Sequence, residues 1–233
     1  MYQSQRAEFY ETALQILQQQ NLIYPCTCSR KEIADSSIMM GIEGAIYPRL
    51  CYPQRNLSKN TASSIHAAHR AVVLDKNISF FDVIQGENVQ NLARDIGDFI
   101  IKRADGLFAY QLAVVVDDAA QNITHIVRGA DLLDSTPRQI YLQQLLDFAT
   151  PHYAHLPVAV NAQGEKLSKQ TQAQPVSISA TTPQPSLPLF NALNFLGQQP
   201  PTALKNAKLD ETWQWAITNW HLSKVPVVQR ISI

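Results

Sequence analysis

The stretch that decides the fold covers residues 123–146 and reads ITHIVRGADLLDSTPRQIYLQQLL. Its first six residues are apolar and β-branched enough to predict a short strand, which Gly129 ends. Ser135 or Thr136 can then cap a helix, and Pro137 favours its first turn. Because a strand followed closely by a helix is the repeating unit of α/β proteins, we expect an α/β fold.

Further strands are predicted upstream of this unit. Residues 71–85 alternate between apolar and polar side chains, and residues 98–104 have strand-like content. The apolar run at residues 112–116 is too continuous for a half-exposed strand, so we expect a central strand covered on both faces. Asp117 and Asp118 at its end would then lie where open α/β sheets bind ligands.

Helices are predicted near both ends of the chain. Residues 7–20 have apolar side chains at helical spacing, which indicates an amphipathic helix packed against the rest of the protein. The side chains on that face are Phe9, Ala13, Leu14, Ile16 and Leu17. Two more helices are expected over about residues 186–196, before Gly197, and about residues 210–220. Residues 170–188 are rich in Gln, Ser, Thr and Pro and are typical of a linker.

The composition is that of an ordinary globular protein, with 45% hydrophobic and 16% charged residues among 233. No apolar run approaches the ~20 residues that cross a bilayer, and the first residues lack a signal peptide. We therefore expect a cytoplasmic protein with no membrane partner. Nineteen basic and nineteen acidic residues cancel, which argues weakly against nucleic acid as a partner but leaves room for a local basic patch.

A metal site is predicted from three cysteines that share one irregular stretch. They are Cys26, Cys28 and Cys51. Thiolates suit Zn²⁺, and a tetrahedral ion needs a fourth ligand such as a phenolate, imidazole, carboxylate or water. Tyr47 is a nearby phenol, whereas two histidines compete from a helix-like segment over residues 62–70, where we expect them to be solvated or packed. They are His66 and His69. The alternative to a metal is a loop with half-buried thiols.

A glycine-led loop over residues 164–170 reads GEKLSKQ and is a candidate phosphate-binding loop. Lys166 and Lys169 flank the hydroxyl of Ser168, and two lysines so spaced can neutralise a triphosphate as charge develops during reaction. Taken without its context, the same pattern is also that of a solvated surface loop. The position of the loop in the chain decides between these interpretations.

Tyr110 and Arg128 are candidates for binding a carboxylate substrate. A guanidinium forks onto a carboxylate through two hydrogen bonds, and a tyrosine hydroxyl adds one directed bond. Both residues are predicted on adjacent strands near the ligand edge of the sheet. Taken singly, each would equally suit a structural role.

These stretches together resemble one family. Residues 108–118, 123–133 and 136–139 are similar to the catalytic domain of glutamyl-tRNA synthetases, and residues 166–170 are similar to that family's KMSKS loop in its proper order. The resemblance implies a class I synthetase catalytic domain of Rossmann-like fold. It also favours a phosphate-binding role for the lysine loop over a merely solvated one.

Within that superfamily the chain resembles the short paralogues, the glutamyl-queuosine tRNA(Asp) synthetases. The cysteine cluster is similar to their zinc site, in which a tyrosine is the unusual fourth ligand. Tyr47 is the corresponding tyrosine in this sequence. Residues 191–201 resemble their C-terminal tail, and the chain stops about 60 residues after the lysine loop, which leaves no room for anticodon-binding domains. The spacing from Cys28 to Tyr47 is longer than the family pattern, and residues 34–44 have the character of an insertion.

The resemblance implies an activity: ATP, with Mg²⁺, activates L-glutamate to glutamyl-adenylate. The glutamate then passes to the queuosine base at the wobble position of tRNA(Asp). Carried over residue by residue, Tyr110 and Arg128 bind glutamate, with Arg128 at its side-chain carboxylate. Lys169 contacts ATP, and Lys166 and Ser168 belong to the same catalytic loop. We expect a monomer.

The resemblance also predicts four segments: an N-terminal remnant, a zinc segment, an α/β domain and a linker with C-terminal helices. They cover residues 1–23, 24–56, 57–170 and 171–233. The family's HIGH-like segment is expected to be missing before Met1, so adenylate formation should be impaired and the run at residues 112–116 should have an exposed edge or face. Two alternatives are a remnant that only binds glutamate or tRNA and a piece of a true glutamyl-tRNA synthetase.

Overall fold

A computed structural model describes residues 1–52, 67–167 and 186–233 of the chain. The helices are α1 (Ala7–Gln19), α2 (Arg30–Ser36), α3 (Leu92–Asp95), α4 (Tyr110–Ala120), α5 (Thr136–Leu145), α6 (Leu187–Phe195) and α7 (Leu209–Asn219). The strands are β1 (Ile23–Cys26), β2 (Met40–Gly41), β3 (Gly44–Ala45), β4 (Ala68–Ala71), β5 (Asn77–Asp82), β6 (Gly86–Asn91), β7 (Ile100–Lys102), β8 (His125–Gly129), β9 (His152–Leu156), β10 (Val158–Val160) and β11 (Arg230–Ser232). The alternation of strands and helices confirms the predicted α/β class.

The chain forms two compact units. Unit 1 comprises Met1–Phe80, Glu87–His125 and Asp134–His152. Unit 2 comprises Phe81–Gly86, Ile126–Leu133 and Tyr153–Ile233. Each unit therefore contains segments that are distant in the sequence.

An antiparallel three-stranded sheet in the order β1-β4-β7 organises unit 1. Ile23 pairs with Ala71, and His69 pairs with Lys102. The strand predicted over residues 98–104 is therefore confirmed. The helix predicted over residues 62–70 is wrong at residues 68–70. These residues belong to β4, which pairs with β1 on one side and with β7 on the other.

The predicted N-terminal helix is confirmed as α1, but its buried face differs from the predicted one. Tyr10, Leu14 and Leu17 are buried, whereas Phe9 is 53% exposed and Ile16 is 37% exposed. Spacings of four and three residues place the buried side chains on one stripe of the helix. Phe9 lies beside that stripe and packs under the guanidinium of a neighbouring arginine instead.

The run at residues 112–116 is not a central strand but the middle of α4. Leu112 and Val115 are almost completely buried, and α4 packs against α1, α5 and β7. A helix covered on several sides is apolar on most of its faces, so a five-residue apolar run cannot distinguish it from a buried strand. The exposed edge or face expected for this run is therefore also wrong.

Asp117 does not lie at a ligand edge. It is buried on α4, where it forms an ion pair with Arg6 and accepts hydrogen bonds from Tyr10 Oη (2.8 Å) and Gln3 Nε2 (3.2 Å). Burial and the bond to Asp117 raise the pKa of Tyr10 to about 12, so its hydroxyl remains a donor. Asp117 therefore joins α4 to the start of the chain.

Unit 2 contains a parallel pairing of Asp82 at the end of β5 with Tyr153 on β9, and β9 neighbours β8. Strands β10 and β11 pair in parallel, and helices α6 and α7 pack together, which confirms both predicted C-terminal helices. Helix α6 stops before Gly197, whose φ is +73° and where a Cβ would lie 2.3 Å from the carbonyl oxygen of Lys224. In the described part of the chain, no helix has the length and apolar character to cross a membrane.

Candidate functional site

The three cysteines meet in unit 1: Cys26 ends β1, Cys28 lies just after it, and Cys51 follows β3. Their Sγ atoms all lie within 4.8 Å of one another, and those of Cys28 and Cys51 are 3.4 Å apart. Ligand atoms about 2.3 Å from a tetrahedral zinc ion are roughly 3.5–4 Å from each other. The spacing of the thiols is thus that of a set that could hold one metal ion.

Tyr47 completes this group in the structure. Its Oη lies 3.3 Å from Cys26 Sγ and 3.7 Å from Cys28 Sγ, and it accepts a hydrogen bond of 2.8 Å from the backbone N–H of Cys51. The phenol oxygen therefore lies next to the thiols of Cys26 and Cys28. The competing His69 lies on β4 outside this group, and His66 lies outside the described residues.

The protonation of the cluster reflects its burial. Burial raises the pKa of Tyr47 above its ordinary value, and it raises the pKa of Cys28 to about 11. Burial would also raise the pKa of Cys51, but hydrogen bonds from Tyr47 and from the backbone of Thr27 outweigh it and lower the pKa to about 7. One thiol is therefore ready to ionise near neutral pH, which a cation needs in order to bind.

Asp98 anchors the cysteine-rich loop to the rest of unit 1. Its carboxylate accepts hydrogen bonds from Tyr24 Oη (2.7 Å), the backbone N–H of Val73 (2.8 Å), and Arg49 Nε and Nη2 (2.8 Å each). Arg49 lies two residues before Cys51 and adopts a left-handed backbone with φ of 59°. Asp98 therefore ties the segment just before Cys51 to Tyr24 on β1 and to Val73.

The segment predicted as an insertion, residues 34–44, forms the end of α2 and the hairpin of β2 and β3. A capping box of Ser29 and Glu32 starts α2. At the hairpin turn, Glu43 accepts two hydrogen bonds of 2.7 and 2.5 Å from the buried guanidinium of Arg138 on α5. Glu43 thus ties this segment to α5.

Arg128 lies on β8 in unit 2 and contacts a buried histidine. Its Nε donates to His155 Nε2 at 3.0 Å, and its guanidinium carbon lies 5.5 Å from the ring centre of Tyr153. On the other side of the imidazole, His155 Nδ1 is 2.6 Å from Asp82 Oδ2, and both side chains are completely buried. Sequence reasoning missed Asp82 and His155, and no local signal marks them, because β5 also contains Asn77 and Ser79 and β9 also contains His152.

The lysine loop begins on a hairpin in unit 2. Val160 at the end of β10 bridges Lys166, and Asn161 closes the turn by accepting backbone hydrogen bonds from the residues at 163 and 165. Lys166 Nζ lies 2.5 Å from Asp131 Oδ2. Gly129 permits this arrangement, because a Cβ there would lie 2.4 Å from Asp131 Oδ1. The other two predicted loop residues, Ser168 and Lys169, lie outside the described residues.

Tyr110 is the first residue of α4 and is 48% exposed. Its prediction on a strand adjacent to that of Arg128 is wrong, since it starts a helix. Tyr110 belongs to unit 1, and Arg128 belongs to unit 2. The roles predicted for these residues and for Lys166 in substrate binding stay predictions.

Comparison with known proteins connects this geometry to a family. A family model for the catalytic domain of class I tRNA synthetases (E and Q) matches residues 1–231. A glutamyl-Q tRNA(Asp) synthetase of Aromatoleum aromaticum is 50% identical over 228 residues, covering 97% of this chain and 68% of that protein. The protein of the same name from Dechloromonas aromatica is 49% identical over 226 residues, covering 97% of this chain and 72% of that protein.

Among solved structures, a glutamate-tRNA synthetase of Elizabethkingia anophelis has a TM-score of 0.67 at 21% identity, a likeness of fold alone. The match covers 99% of this chain and 52% of the chain in that structure. The family model and the relatives at about half identity agree with each other over almost the entire sequence. The chain therefore belongs to the class I tRNA synthetases for glutamate and glutamine, a family of ligases, and matches their catalytic domain.

Proposed function

We propose that this protein uses ATP and Mg²⁺ to activate L-glutamate and transfers it to the queuosine base at the wobble position of tRNA(Asp). The observation that carries the proposal is the similarity of 97% of the chain to proteins named glutamyl-Q tRNA(Asp) synthetase, at 50% and 49% identity. Transfer to a tRNA base and activation of glutamate are taken from those names and from the motifs of this sequence.

In this proposal Arg128 binds the side-chain carboxylate of glutamate. Its Nε donates a hydrogen bond of 3.0 Å to the imidazole of His155, which holds the guanidinium at the end of β8. A guanidinium pairs with a carboxylate through two parallel hydrogen bonds, which selects the acid over the amide. Tyr110, which is half exposed, supplies a further hydrogen bond to the substrate.

The lysine loop neutralises the triphosphate in this proposal. Lys166 starts from an exposed ion pair with Asp131, so a phosphate can replace that carboxylate at little cost. Lys169 and Ser168 would act on the same triphosphate. Charge held in place on the loop lowers the barrier as negative charge develops at the α-phosphorus.

The cysteine cluster holds one Zn²⁺ in this proposal, with Cys26, Cys28, Cys51 and Tyr47 as ligands. The support is the donor set itself: three thiols within 4.8 Å and a phenol oxygen at 3.3 Å from one sulfur. A bound zinc ion would serve to order the loop. Metal analysis of purified protein should give one zinc per chain, Cys51→Ser should reduce it to near zero, and freely titratable thiols in native protein would refute the site.

The activity is tested by two assays on a protein of the relatives' full length and on this chain. Glutamate-dependent exchange of pyrophosphate into ATP measures adenylate formation, and labelled glutamate measures transfer. The proposal expects transfer to tRNA(Asp) that contains queuosine and none to the same tRNA with guanine at the wobble position. Glutamate linked instead to the 3′ end of tRNA(Glu) would contradict it, and glutamate binding without exchange in either protein would indicate a binding module.

A further inference from the structure

A line of three polar side chains in unit 2 ends at the residue proposed to bind glutamate. It runs from Asp82 on β5 through His155 on β9 to Arg128 on β8, with heavy-atom distances of 2.6 Å and 3.0 Å. The first two side chains have no solvent exposure at all. A buried charged group and a buried imidazole are costly to desolvate, so this arrangement needs a reason beyond filling space.

The hydrogen bonds fix the position of the imidazole proton. A guanidinium has only donors, so His155 Nε2 must accept from Arg128 Nε with its lone pair. The proton of the neutral ring is therefore on Nδ1, and it is donated to Asp82 Oδ2. Burial lowers the pKa of His155, and the charge of Arg128 lowers it further despite the bond to Asp82, which agrees with a neutral ring at pH 7.

Asp82 is itself held rigidly. Its Oδ1 accepts hydrogen bonds from the backbone N–H groups of Ile84 (3.0 Å), Gln85 (2.8 Å) and His155 (3.1 Å). Burial alone would raise the pKa of Asp82, but these bonds and the one from the imidazole lower it below its usual range. The carboxylate is thus an ionised, immobile acceptor that sets both the tautomer and the plane of the ring.

We propose that His155, held by Asp82, is a positioning residue that orients the guanidinium of Arg128 for the substrate carboxylate. The inference rests on the proposed function, because it assumes that Arg128 binds glutamate. An arginine side chain loses much rotamer freedom when it pairs with a ligand. If Nε is already bound to a fixed ring, that cost is met during folding, and the affinity for glutamate rises accordingly.

The arrangement makes glutamate binding dependent on pH. The charged and titratable groups that face His155 are Asp82 on β5, Arg128 on β8 and Asp131 after β8, with Tyr153 on its own strand. Protonation of His155 would place an N–H opposite the N–H of Arg128 and break their hydrogen bond. Affinity should therefore be constant above pH 6.5 and should fall as the pH drops through the lowered pKa of His155.

The test measures L-glutamate affinity by calorimetry and the imidazole tautomer by ¹⁵N NMR in this chain. His155→Leu removes the acceptor and should weaken binding by about tenfold, the size of one lost hydrogen bond to a charged group. His155→Gln keeps an acceptor that cannot titrate, so it should bind within about threefold of the unmodified protein and lose the weakening at acid pH. His152→Gln, an exposed histidine on the same strand, is the matched control and should change nothing.

The outcomes separate the inference from the proposed function. Unchanged affinity in Arg128→Gln, or no glutamate binding by the unmodified chain, would overturn the proposed role of Arg128 and this inference with it. Weak binding in Arg128→Gln but unchanged binding in His155→Leu would overturn the positioning role alone. If His155→Leu fails to fold, the comparison with His155→Gln decides, since identical acid-side profiles in the unmodified and Gln proteins would refute the proposal, as would an Nε2–H tautomer.

Discussion

A buried aspartate organises polar side chains in each compact unit, and Asp98 in unit 1 does so differently from Asp82 in unit 2. Asp98 in unit 1 receives a guanidinium, a phenol and one backbone N–H from three separate stretches of chain. Asp82 in unit 2 receives three backbone N–H groups and one imidazole. The first links distant segments through charge, whereas the second is fixed by backbone and orients a single ring. Loss of Asp98 should therefore cost stability, and loss of Asp82 should cost orientation.

The largest expected effect is that of Asp98→Ala. It removes a fully buried carboxylate and leaves Arg49, Tyr24 and a backbone N–H without their acceptor. Breaking a buried pair in this way costs about 3–5 kcal/mol of unfolding free energy. Urea denaturation measures the loss, with Asp75→Asn as a control at an exposed aspartate, which should stay within about 0.5 kcal/mol. A loss below about 1 kcal/mol would show that Asp98 is not an anchor.

A smaller effect on stability is expected for Asp82→Asn. The amide oxygen can keep the three backbone bonds, but the amide nitrogen then faces the Nδ1–H of His155, so the unfolding free energy should fall by about 1–3 kcal/mol. The ring can avoid this clash of donors by moving its proton to Nε2, where it opposes Arg128. Glutamate affinity should therefore fall in Asp82→Asn. Urea denaturation measures the stability of Asp82→Asn, and calorimetry measures its affinity for glutamate. A larger stability loss than in Asp98→Ala, with unchanged affinity, would contradict the difference between the two aspartates.

The smallest effect is the pH dependence of stability. His155 has a lowered pKa in the folded state, so the unfolded chain binds a proton first as the pH falls below 6.5. The contribution of His155 to the unfolding free energy is complete above pH 6.5. Below that pH it decreases by no more than about 1.4 kcal/mol per pH unit, until the pH reaches the pKa of His155 in the folded protein. His69 also has a pKa lowered by burial and adds to the slope. Urea titrations between pH 4 and 8 should therefore show a shallower slope in His155→Gln, and equal slopes would contradict the buried neutral ring.

Local sequence signals predicted α1, α5 and β7 in unit 1 and the two C-terminal helices. Apolar spacing is sufficient to locate a helix that has one exposed face, as in α1 and α7. They fail in α4, because a buried helix has no polar face to reveal its period. The cysteine cluster was accessible to sequence reasoning because cysteines are chemically distinctive, and the family resemblance singled out Tyr47 among the candidate fourth ligands. The pair of Asp82 and His155 was not accessible to sequence reasoning, since 73 residues separate the two and only folding brings them together.

The ion pair of Lys166 with Asp131 has a consequence for how the protein responds to its ionic surroundings. The two side chains are 51% and 34% exposed, and pairs of this kind are worth no more than about 1 kcal/mol. Mobile ions screen such charges over about 8 Å at physiological ionic strength. In the proposed function, salt therefore loosens the resting loop and also shields the incoming nucleotide. These two effects oppose each other. The affinity for nucleotide should therefore depend less steeply on salt than it would if the lysine had no carboxylate partner to release.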